Sequence, residues 1–228
     1  MTLYALDDRM VFPSPIEADG DGLLAVGGDL SPERLMLAYE SGIFPWPHEG
    51  LPLLWFSPDP RMVLEPHQVR LSRSLRARLR RGDLQVTFDQ AFGEVMRGCG
   101  STLRAHEEGT WITPAMVDAY TALHERGLAH SVEAWHEGRL AGGLYGVSLG
   151  GVFFGESMFS RVSDASKVAL VTLAQQLAAW EFALVDCQMV TDHLASMGAV
   201  PWPRQRFLQV LKQAMAMPTR QGRWELDD

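Results

Sequence analysis

Two polar residues interrupt an apolar stretch in the last quarter of the chain. Asp186 and Gln188 follow residues 182–185, which have the pattern of a short buried strand. A carboxylate among apolar side chains is costly unless a partner satisfies it. Because side chains alternate between the faces of a strand, Asp186 and Gln188 are expected on one face as a polar couple, with Cys187 on the other. The couple is either a functional group or a structural carboxylate held by a loop amide, which is the favoured interpretation for an isolated Asp.

Other reactive or aromatic residues stand where core packing does not require them. Glu156 lies in Gly-Glu-Ser at a predicted strand end, as either a solvated turn carboxylate or a polar anchor for a substrate. Tryptophan is usually a core residue, but Trp46 lies in a proline-rich loop and Trp111 just before a helix cap, where core packing is less obligatory. Cys187 has no evident His partner for a nucleophilic role and is interpreted as a core residue.

A basic segment stands out in an acidic chain. The 228 residues carry a net charge of −8, yet residues 67–81 hold six arginines and no acidic residue. The remaining 14 basic and 28 acidic residues give the rest of the chain a net charge of −14. Such a segment is most often a solvated helix face, but its local field can also attract a polyanion. The six are Arg70, Arg73, Arg76, Arg78, Arg80 and Arg81.

Several classes of protein are disfavoured by composition. The two cysteines, Cys99 and Cys187, form no CxxC pair and no disulfide framework. The seven histidines show no HxxxH or HExxH spacing, so no metal is expected. The N-terminus lacks the basic and then apolar pattern of a signal peptide, and no apolar run approaches the ~20 residues of a membrane span. We therefore expect a cytoplasmic protein without a membrane partner.

The element pattern predicts an α/β (α+β) fold in two parts. Residues 1–62 are rich in Pro, Gly and Trp and carry one clear helix, with Ser31 as its N-cap, so a small irregular N-terminal domain is expected. Residues 63–228 are expected to form a second, regular domain. Its predicted helices are 70–81, 90–97, a helix opening at Thr113, 164–180, 191–197 and 203–216, and its predicted strands are 84–88, 130–136, 139–147, 151–158 and 183–188. From residue 84 the order is β, α, α, β, β, β, α, β, α, which is typical of a mixed-sheet acyltransferase of the acetyltransferase (GNAT) type. Fold analogy alone names no substrate.

A series of motifs resembles one known family along residues 11–199. Each motif is weak alone, but this many in the same order are specific, while the tail after about 203 adds little. They are GLLAVGGDL (22–30), GIFPW (42–46), WFSPDPR (55–61), EEGTWIT (107–113), HSVEAW (130–135), GGLYG (142–146), FFGESMFS (153–160), ASK (165–167), DCQ (186–188) and ASMGA (195–199). On these motifs the sequence resembles the leucyl/phenylalanyl-tRNA–protein transferases.

The resemblance implies an aminoacyltransferase and gives its candidate residues roles. Members move Leu or Phe, and less Met, from aminoacyl-tRNA to the α-amino group of proteins with N-terminal Arg or Lys, which marks them for degradation by the N-end rule pathway. No cofactor is implied, and a monomer is expected. By resemblance, Asp186 and Gln188 form a relay that takes a proton from the attacking amine, and Glu156 anchors the substrate amino group or the terminal ribose.

The resemblance also implies binding sites for the donor. Trp46 and Trp111 would sandwich the terminal adenine, and we assign the six arginines to the acceptor arm of the tRNA. An apolar pocket would select the amino-acid side chain. Its candidate residues are Leu144, Phe153, Met158, Leu170, Leu173, Leu177 and Val185. Phe56 replaces a second Trp of the family motif, and aliphatic residues near 173 and 177 leave the choice between Leu and Phe open.

Two other functions compete with this interpretation. A coenzyme-A-dependent acetyltransferase needs a glycine-rich pyrophosphate loop, but residues 159–167 contain no glycine. A non-catalytic RNA-binding or adaptor domain would be favoured by a broken DCQ motif or a missing tryptophan, and both motifs are intact. We therefore favour the transferase.

Overall fold

The computed structural model describes residues 3–47, 50–101 and 112–226. In these residues, a sheet of four short strands comes first in the chain, in the order β1-β2-β4-β3. Its prolines and glycines keep every strand to five residues or fewer. The strands are Tyr4–Leu6 (β1), Leu23–Gly27 (β2), Phe44–Pro45 (β3) and Leu54–Phe56 (β4).

A mixed sheet of seven strands follows, in the order β11-β5-β10-β9-β8-β7-β6. Strands β9 and β10 pair in parallel, and their neighbours pair antiparallel. The strands are Arg61–Leu64 (β5), Gln85–Phe88 (β6), Ala129–His136 (β7), Arg139–Leu149 (β8), Val152–Ser160 (β9), Leu184–Gln188 (β10) and Val200–Trp202 (β11). The mixed α/β class and the predicted order of elements from β6 to α6 are confirmed, whereas strand β11 was not predicted.

The helices begin at side-chain caps in most cases. Ser31, Ser72, Thr113 and Thr191 each accept a hydrogen bond from a backbone N–H of the first helical turn. The helices are Pro32–Glu40 (α1), Arg73–Arg81 (α2), Phe92–Gly100 (α3), Pro114–Glu125 (α4), Ala165–Ala179 (α5), Asp192–Ser196 (α6) and Arg204–Ala214 (α7). None of the helices in the described ranges is long and apolar enough to cross a membrane.

Two of the differences from the predicted boundaries affect the interpretation of the chain. Helix α2 begins at Arg73 rather than Arg70, because Ser72 caps it and Arg70 lies in the preceding connection. Strand β5 begins at Arg61 and belongs to the seven-stranded sheet, so this sheet starts two residues before the expected division at 62/63. The division of the chain into domains 1–62 and 63–228 stays a prediction.

The seven-stranded sheet has a hydrophobic core on each face. Adjacent residues of β9, Phe153 and Phe154, are both fully buried but belong to different core clusters, as the alternation of side chains along a strand requires. One cluster contains residues of α1, α3, α4 and α7, and the other contains residues of α2 and α5. This double cover fixes β8, β9 and β10, which carry the site described next.

Candidate active site

A cavity of about 410 Å³ opens beside the parallel strands β9 and β10. Its wall is mostly apolar, with a few polar side chains that include Glu156, Gln188 and His193. The apolar lining comes from β3, β8, β9, β10, α5, α6 and the residues directly after β3 and β10. It consists of Phe44, Pro45, Trp46, Leu144, Phe153, Met158, Leu170, Leu173, Val185, Met189 and Leu194. The cavity therefore has the composition of a small-molecule site, apolar with a few convergent polar groups.

The cavity lies where the two parallel strands part. In their register, Leu184 pairs with Val152 and the last pair joins Asp186 to Phe154. The residues directly after this pair line the cavity: 155–158 on β9, and 187–189 at the end of β10 and just beyond it. Separation of the strands thus exposes side chains and backbone polar groups that a continuous ladder would cover.

Six of the seven predicted pocket residues line this cavity. They are Leu144, Phe153, Met158, Leu170, Leu173 and Val185. Leu177 is different: it lies one turn beyond Leu173 on α5, is fully buried, and packs within the core beneath the cavity. The predicted set of pocket residues is therefore one residue larger than the lining of the cavity. The helical spacing puts three leucines on one face but does not show where the cavity ends.

Glu156 is the most densely hydrogen-bonded carboxylate of the cavity wall. Its Oε1 accepts from the Tyr39 hydroxyl at 2.8 Å and from Gln188 Nε2 at 2.7 Å, and its Oε2 accepts from the Tyr120 hydroxyl at 3.0 Å. The two tyrosine hydroxyls also contact each other. Burial raises the pKa of Glu156 to about 7, although the three donors act in the opposite direction. The group therefore changes its charge near neutral pH.

Asp186 lies behind the cavity and forms an ion pair. Its carboxylate receives two hydrogen bonds from Arg61, from Nε at 2.8 Å and from Nη2 at 2.6 Å, and both side chains are fully buried. Arg61 also donates to the Gly42 carbonyl at 3.2 Å and packs between the rings of Phe44 and Phe207. The pair is bidentate, so two charge-assisted hydrogen bonds fix the orientation of both side chains.

A bulge turns Gln188 toward Glu156. Pairing with β5 shifts between Asp186 and Gln188, and Gln188 has a φ of 61°. The bulge is held by Asp186 Oδ1, which accepts from the Gln188 backbone N–H at 2.9 Å. The extra residue breaks the two-residue side-chain period. Asp186 and Gln188 are therefore coupled through the backbone rather than on one strand face, and of the two only Gln188 lines the cavity.

The same bulge changes the position of Cys187. This residue was predicted to face the core, but it is only partly buried and lines the cavity. Burial raises the pKa of its thiol, with the Asp186 charge as the next cause, so the thiol stays protonated and is a poor nucleophile. In the described residues, no group of three or more His, Cys, Asp or Glu side chains is placed to hold a metal ion.

The two predicted base-stacking residues have different outcomes. Trp46 lines the cavity mouth, where its ring lies 5.5 Å from Phe56 and 6.5 Å from Phe44, measured between ring centroids. Trp111 lies outside the described residues, as does most of the motif that contains it. The sandwich of Trp46 and Trp111 stays a prediction.

Comparison with known proteins decides the family. A model described as leucyl/phenylalanyl-tRNA protein transferase matches residues 63–212, and a model of the N-terminal domain of the same transferase matches residues 28–59. The chain belongs to this family. A leucyl/phenylalanyl-tRNA–protein transferase of Myxococcus xanthus is 56% identical over 226 residues, covering 98% of this chain and 97% of the relative. One of Stutzerimonas stutzeri is 56% identical over 222 residues, covering 96% of this chain and 97% of the relative.

A solved structure of a GCN5-related N-acetyltransferase from Kribbella flavida is a distant likeness. It covers 73% of this chain and 59% of its own, with a TM-score of 0.35 and 12% identity. A score this low carries no argument.

In this member of the transferase family, the six arginines of residues 70–81 differ in their exposure and in their ion pairs. Arg70, Arg73, Arg76, Arg80 and Arg81 are exposed, whereas Arg78 is largely buried. Arg78 and Arg81 both pair with Asp83, at 3.0 Å and 2.8 Å. No carboxylate of the described residues forms an ion pair with the other four. Those four are available to a ligand, and Arg78 is committed to the fold.

Sequence reasoning missed three residues of this transferase site. Arg61 ends the motif WFSPDPR, which had been used only to identify the family, so a signal for it existed. Tyr39 and Tyr120 lie within helices α1 and α4 among apolar residues and carry no local signal. Their role depends on bringing together residues 39, 120 and 156, which are far apart in the chain.

Proposed function

We propose that the protein transfers Leu or Phe, and less readily Met, from aminoacyl-tRNA to the α-amino group of proteins that begin with Arg or Lys, marking them for degradation by the N-end rule pathway. The observation that carries this proposal is the apolar cavity with Gln188 and Glu156 on its wall, in a chain of the transferase family. We further propose that it acts as a monomer in the cytoplasm, where charged tRNA is available.

The cavity suits an apolar donor side chain. Leu144, Met158, Leu170 and Val185 offer only hydrocarbon or thioether surface, and the volume of about 410 Å³ exceeds that of a single leucine side chain. A methylene in such a pocket changes discrimination by only ~1–3 kcal/mol. Overlapping use of Leu, Phe and Met follows from this limit.

The reaction asks for little acid–base help. An α-amine has a pKa of about 7.7–8.0, so roughly a tenth or more of it is neutral near pH 7 and can attack the activated ester. Holding the amine and the ester together lowers the activation barrier by up to ~7–11 kcal/mol. General-base assistance typically raises the rate by a further factor of about 10²–10⁴. Positioning is therefore the main demand on the site.

We assign the polar residues roles on this basis. Gln188 directs its amide nitrogen to Glu156, which leaves the amide oxygen for the incoming amine. Glu156 accepts a proton or anchors the substrate amino group. Asp186 acts through Gln188, because its carboxylate is held by Arg61 and by the Gln188 backbone N–H rather than facing the cavity. In place of the predicted proton relay, we therefore propose that Gln188 contacts the incoming amine and that Asp186 positions Gln188.

We assign the exposed arginines to binding of the tRNA body. Arg70, Arg73, Arg76 and Arg80 present cationic side chains without competing carboxylates among the described residues. Contacts to phosphates give affinity without reading sequence. Trp46 at the cavity mouth, together with Trp111, is proposed to hold the terminal adenine.

A transfer assay tests the proposal. Purified protein is mixed with radiolabelled leucyl-tRNA and a peptide that begins with Arg, with no added coenzyme A. Matched peptides begin with Glu or carry an N-acetylated Arg, which removes the attacking amine. Label on the free Arg peptide alone supports the reaction and its acceptor class. If tRNA binds but no peptide is labelled, the transferase is refuted and an RNA-binding role is favoured.

A further inference from the structure

Trp224 lies in the C-terminal tail, beyond the region that matches the family model, yet it is one of the most buried large side chains. Only 2% of it is exposed. Its indole stacks on His130, with ring centroids 3.8 Å apart, and meets Trp180 edge-on at 4.9 Å. The residue is therefore part of the core on the face that holds α5.

The tail is tied to the domain at successive residues. The Trp224 backbone N–H donates to Asp89 Oδ2 at 2.7 Å, and the same oxygen contacts His130 Nδ1 at 2.8 Å. The Gly222 N–H donates to the Gly127 carbonyl at 3.0 Å. At Gly127, φ is 69° and a Cβ would lie 2.4 Å from the Gly222 nitrogen, so glycine is needed for this close approach. These bonds fix the indole against the sheet.

One neighbour of the indole is a wall of the cavity. The ring of Phe153 lies 5.9 Å from Trp224, centroid to centroid, at an angle of 39°. Phe153 is fully buried and lines the cavity, whereas Trp224 does not reach it. Trp224 thus packs against a side chain that lines the cavity without lining the cavity itself.

We propose that Trp224 is a specificity-determining positioning residue, which sets the depth of the donor pocket by holding Phe153 forward. The inference rests on the proposed transfer of Leu and Phe. Its physical basis is that protein interiors are close-packed and a void left by a large side chain is partly filled by its neighbours. When the indole is removed, Phe153 gains space behind it and the pocket deepens.

A deeper pocket shifts the donor preference from leucyl-tRNA toward phenylalanyl-tRNA. The aromatic ring of a Phe donor is larger than a Leu side chain and gains most from added depth, while Leu loses contacts. One methylene in an apolar pocket shifts kcat/KM by about 10–200-fold. We therefore expect Trp224→Ala to raise the ratio of kcat/KM for phenylalanyl-tRNA to that for leucyl-tRNA by about 10-fold.

The experiment measures this ratio in the full chain, with an Arg peptide as acceptor. Both donors are assayed on one preparation, so a lower folded fraction cancels from the ratio. Trp224→Phe leaves a smaller void and should give a change of roughly threefold in the same direction. In a Phe153→Ala background, Trp224→Ala should change the ratio no further, because the wall it supports is gone.

Trp202→Ala is the matched control. It removes a buried indole, 5% exposed, from the other core cluster, away from Phe153, and should leave the donor ratio unchanged. A Trp224→Ala ratio within twofold of wild type, or one shifted toward Leu, overturns the inference and leaves Trp224 a purely structural residue. Absence of transfer by the wild-type chain would instead refute the proposed function, so the two failures are distinguishable.

Discussion

At the scale of single residues, the site holds its carboxylates in opposite ways. Asp186 is fully buried and is bound by the Arg61 guanidinium through two hydrogen bonds. Glu156 has hydrogen-bond donors but no cationic partner among the described residues, and burial raises its pKa to about 7. Asp186 therefore suits a fixed structural role, and Glu156 suits a role that involves proton exchange.

The raised pKa of Glu156 predicts how stability depends on pH. An unfolded Glu titrates near 4.5, so between about pH 4.5 and 7 the folded chain binds more protons and loses stability as pH rises. Glu156→Gln keeps the shape and removes the titration. We expect its unfolding free energy, relative to wild type, to rise by roughly 2–3 kcal/mol from pH 5 to pH 8.

Urea unfolding of both proteins at the two pH values measures this difference. Glu125→Gln, on the surface end of α4, controls for the chemical change. A difference in unfolding free energy that stays constant with pH would show that the pKa of Glu156 is ordinary.

The positioning role of Asp186 predicts a severe but incomplete loss of activity. Asp186→Asn leaves Arg61 buried without its counter-charge, which costs ~3–5 kcal/mol of stability, and weakens the bond that holds the Gln188 bulge. Because Asp186 positions Gln188 and does not contact the substrates, transfer should fall by about 10²-fold, the usual effect of a misplacement of about 1 Å.

Initial rates should be measured on variant protein whose fold is verified by circular dichroism, with Asp118→Asn, an exposed carboxylate of α4, as the control. Residual transfer above a reaction without enzyme is expected. Complete loss in a well-folded variant would instead assign Asp186 a direct chemical role.

At the scale of elements, the features that depend on local sequence patterns were predicted, and the features that depend on long-range contacts were not. Periodicity and caps placed the helices and strands from β6 onward to within a few residues, except for the three-residue strand β11, because each pattern is contained in the element itself. The bulge in β10 could not be read this way, since it depends on the pairing of Gln188 with Met62 of β5. For the same reason the directions of Cys187 and Gln188 were mistaken, although both lie in the correct strand.

Helix α2 also shows what a charge pattern does not reveal. The count of six arginines is evident in the sequence, but their division is not. Arg78 is largely buried against Asp83, which follows the helix, whereas Arg73, Arg76 and Arg80 point to solvent. Only the exposed members are expected to contribute to binding.

That division predicts different salt dependences for tRNA binding. The triple substitution of Arg73, Arg76 and Arg80 by Gln should reduce the slope of log K against log salt concentration by roughly 2–3, since each phosphate contact contributes about 0.7–0.9. Arg78→Gln is the matched control within the same helix and should change the slope little while lowering stability. Filter binding or fluorescence anisotropy across a salt series measures both. Equal slopes for the triple variant and wild type would remove α2 from the tRNA interface.

At the scale of the whole molecule, the N-terminal segment completes the site. Tyr39 of α1 donates to Glu156, and the Gly42 carbonyl accepts from Arg61. Phe44, Pro45 and Trp46 form part of the cavity wall. The cavity is thus built by segments far apart in sequence, which is why family motifs occur in both parts of the chain while neither part alone indicates the geometry.

This arrangement predicts that a chain beginning at residue 61 loses activity beyond its loss of stability. Such a chain contains all seven strands of the large sheet and both members of the Arg61–Asp186 pair. Without residues 3–60, Glu156 loses the Tyr39 donor and the cavity loses its β3 wall. Misplacement of substrates by about 1 Å already costs ~10²-fold in rate, so transfer should fall by at least that factor even where circular dichroism shows a folded sheet. The transfer rate of the full chain carrying Tyr39→Phe should lie between those of the shortened chain and the wild-type chain. This variant loses one hydrogen bond to Glu156 but keeps the β3 wall of the cavity. Transfer by the shortened chain at a rate similar to that of the full chain would show that residues 61–228 hold the complete site.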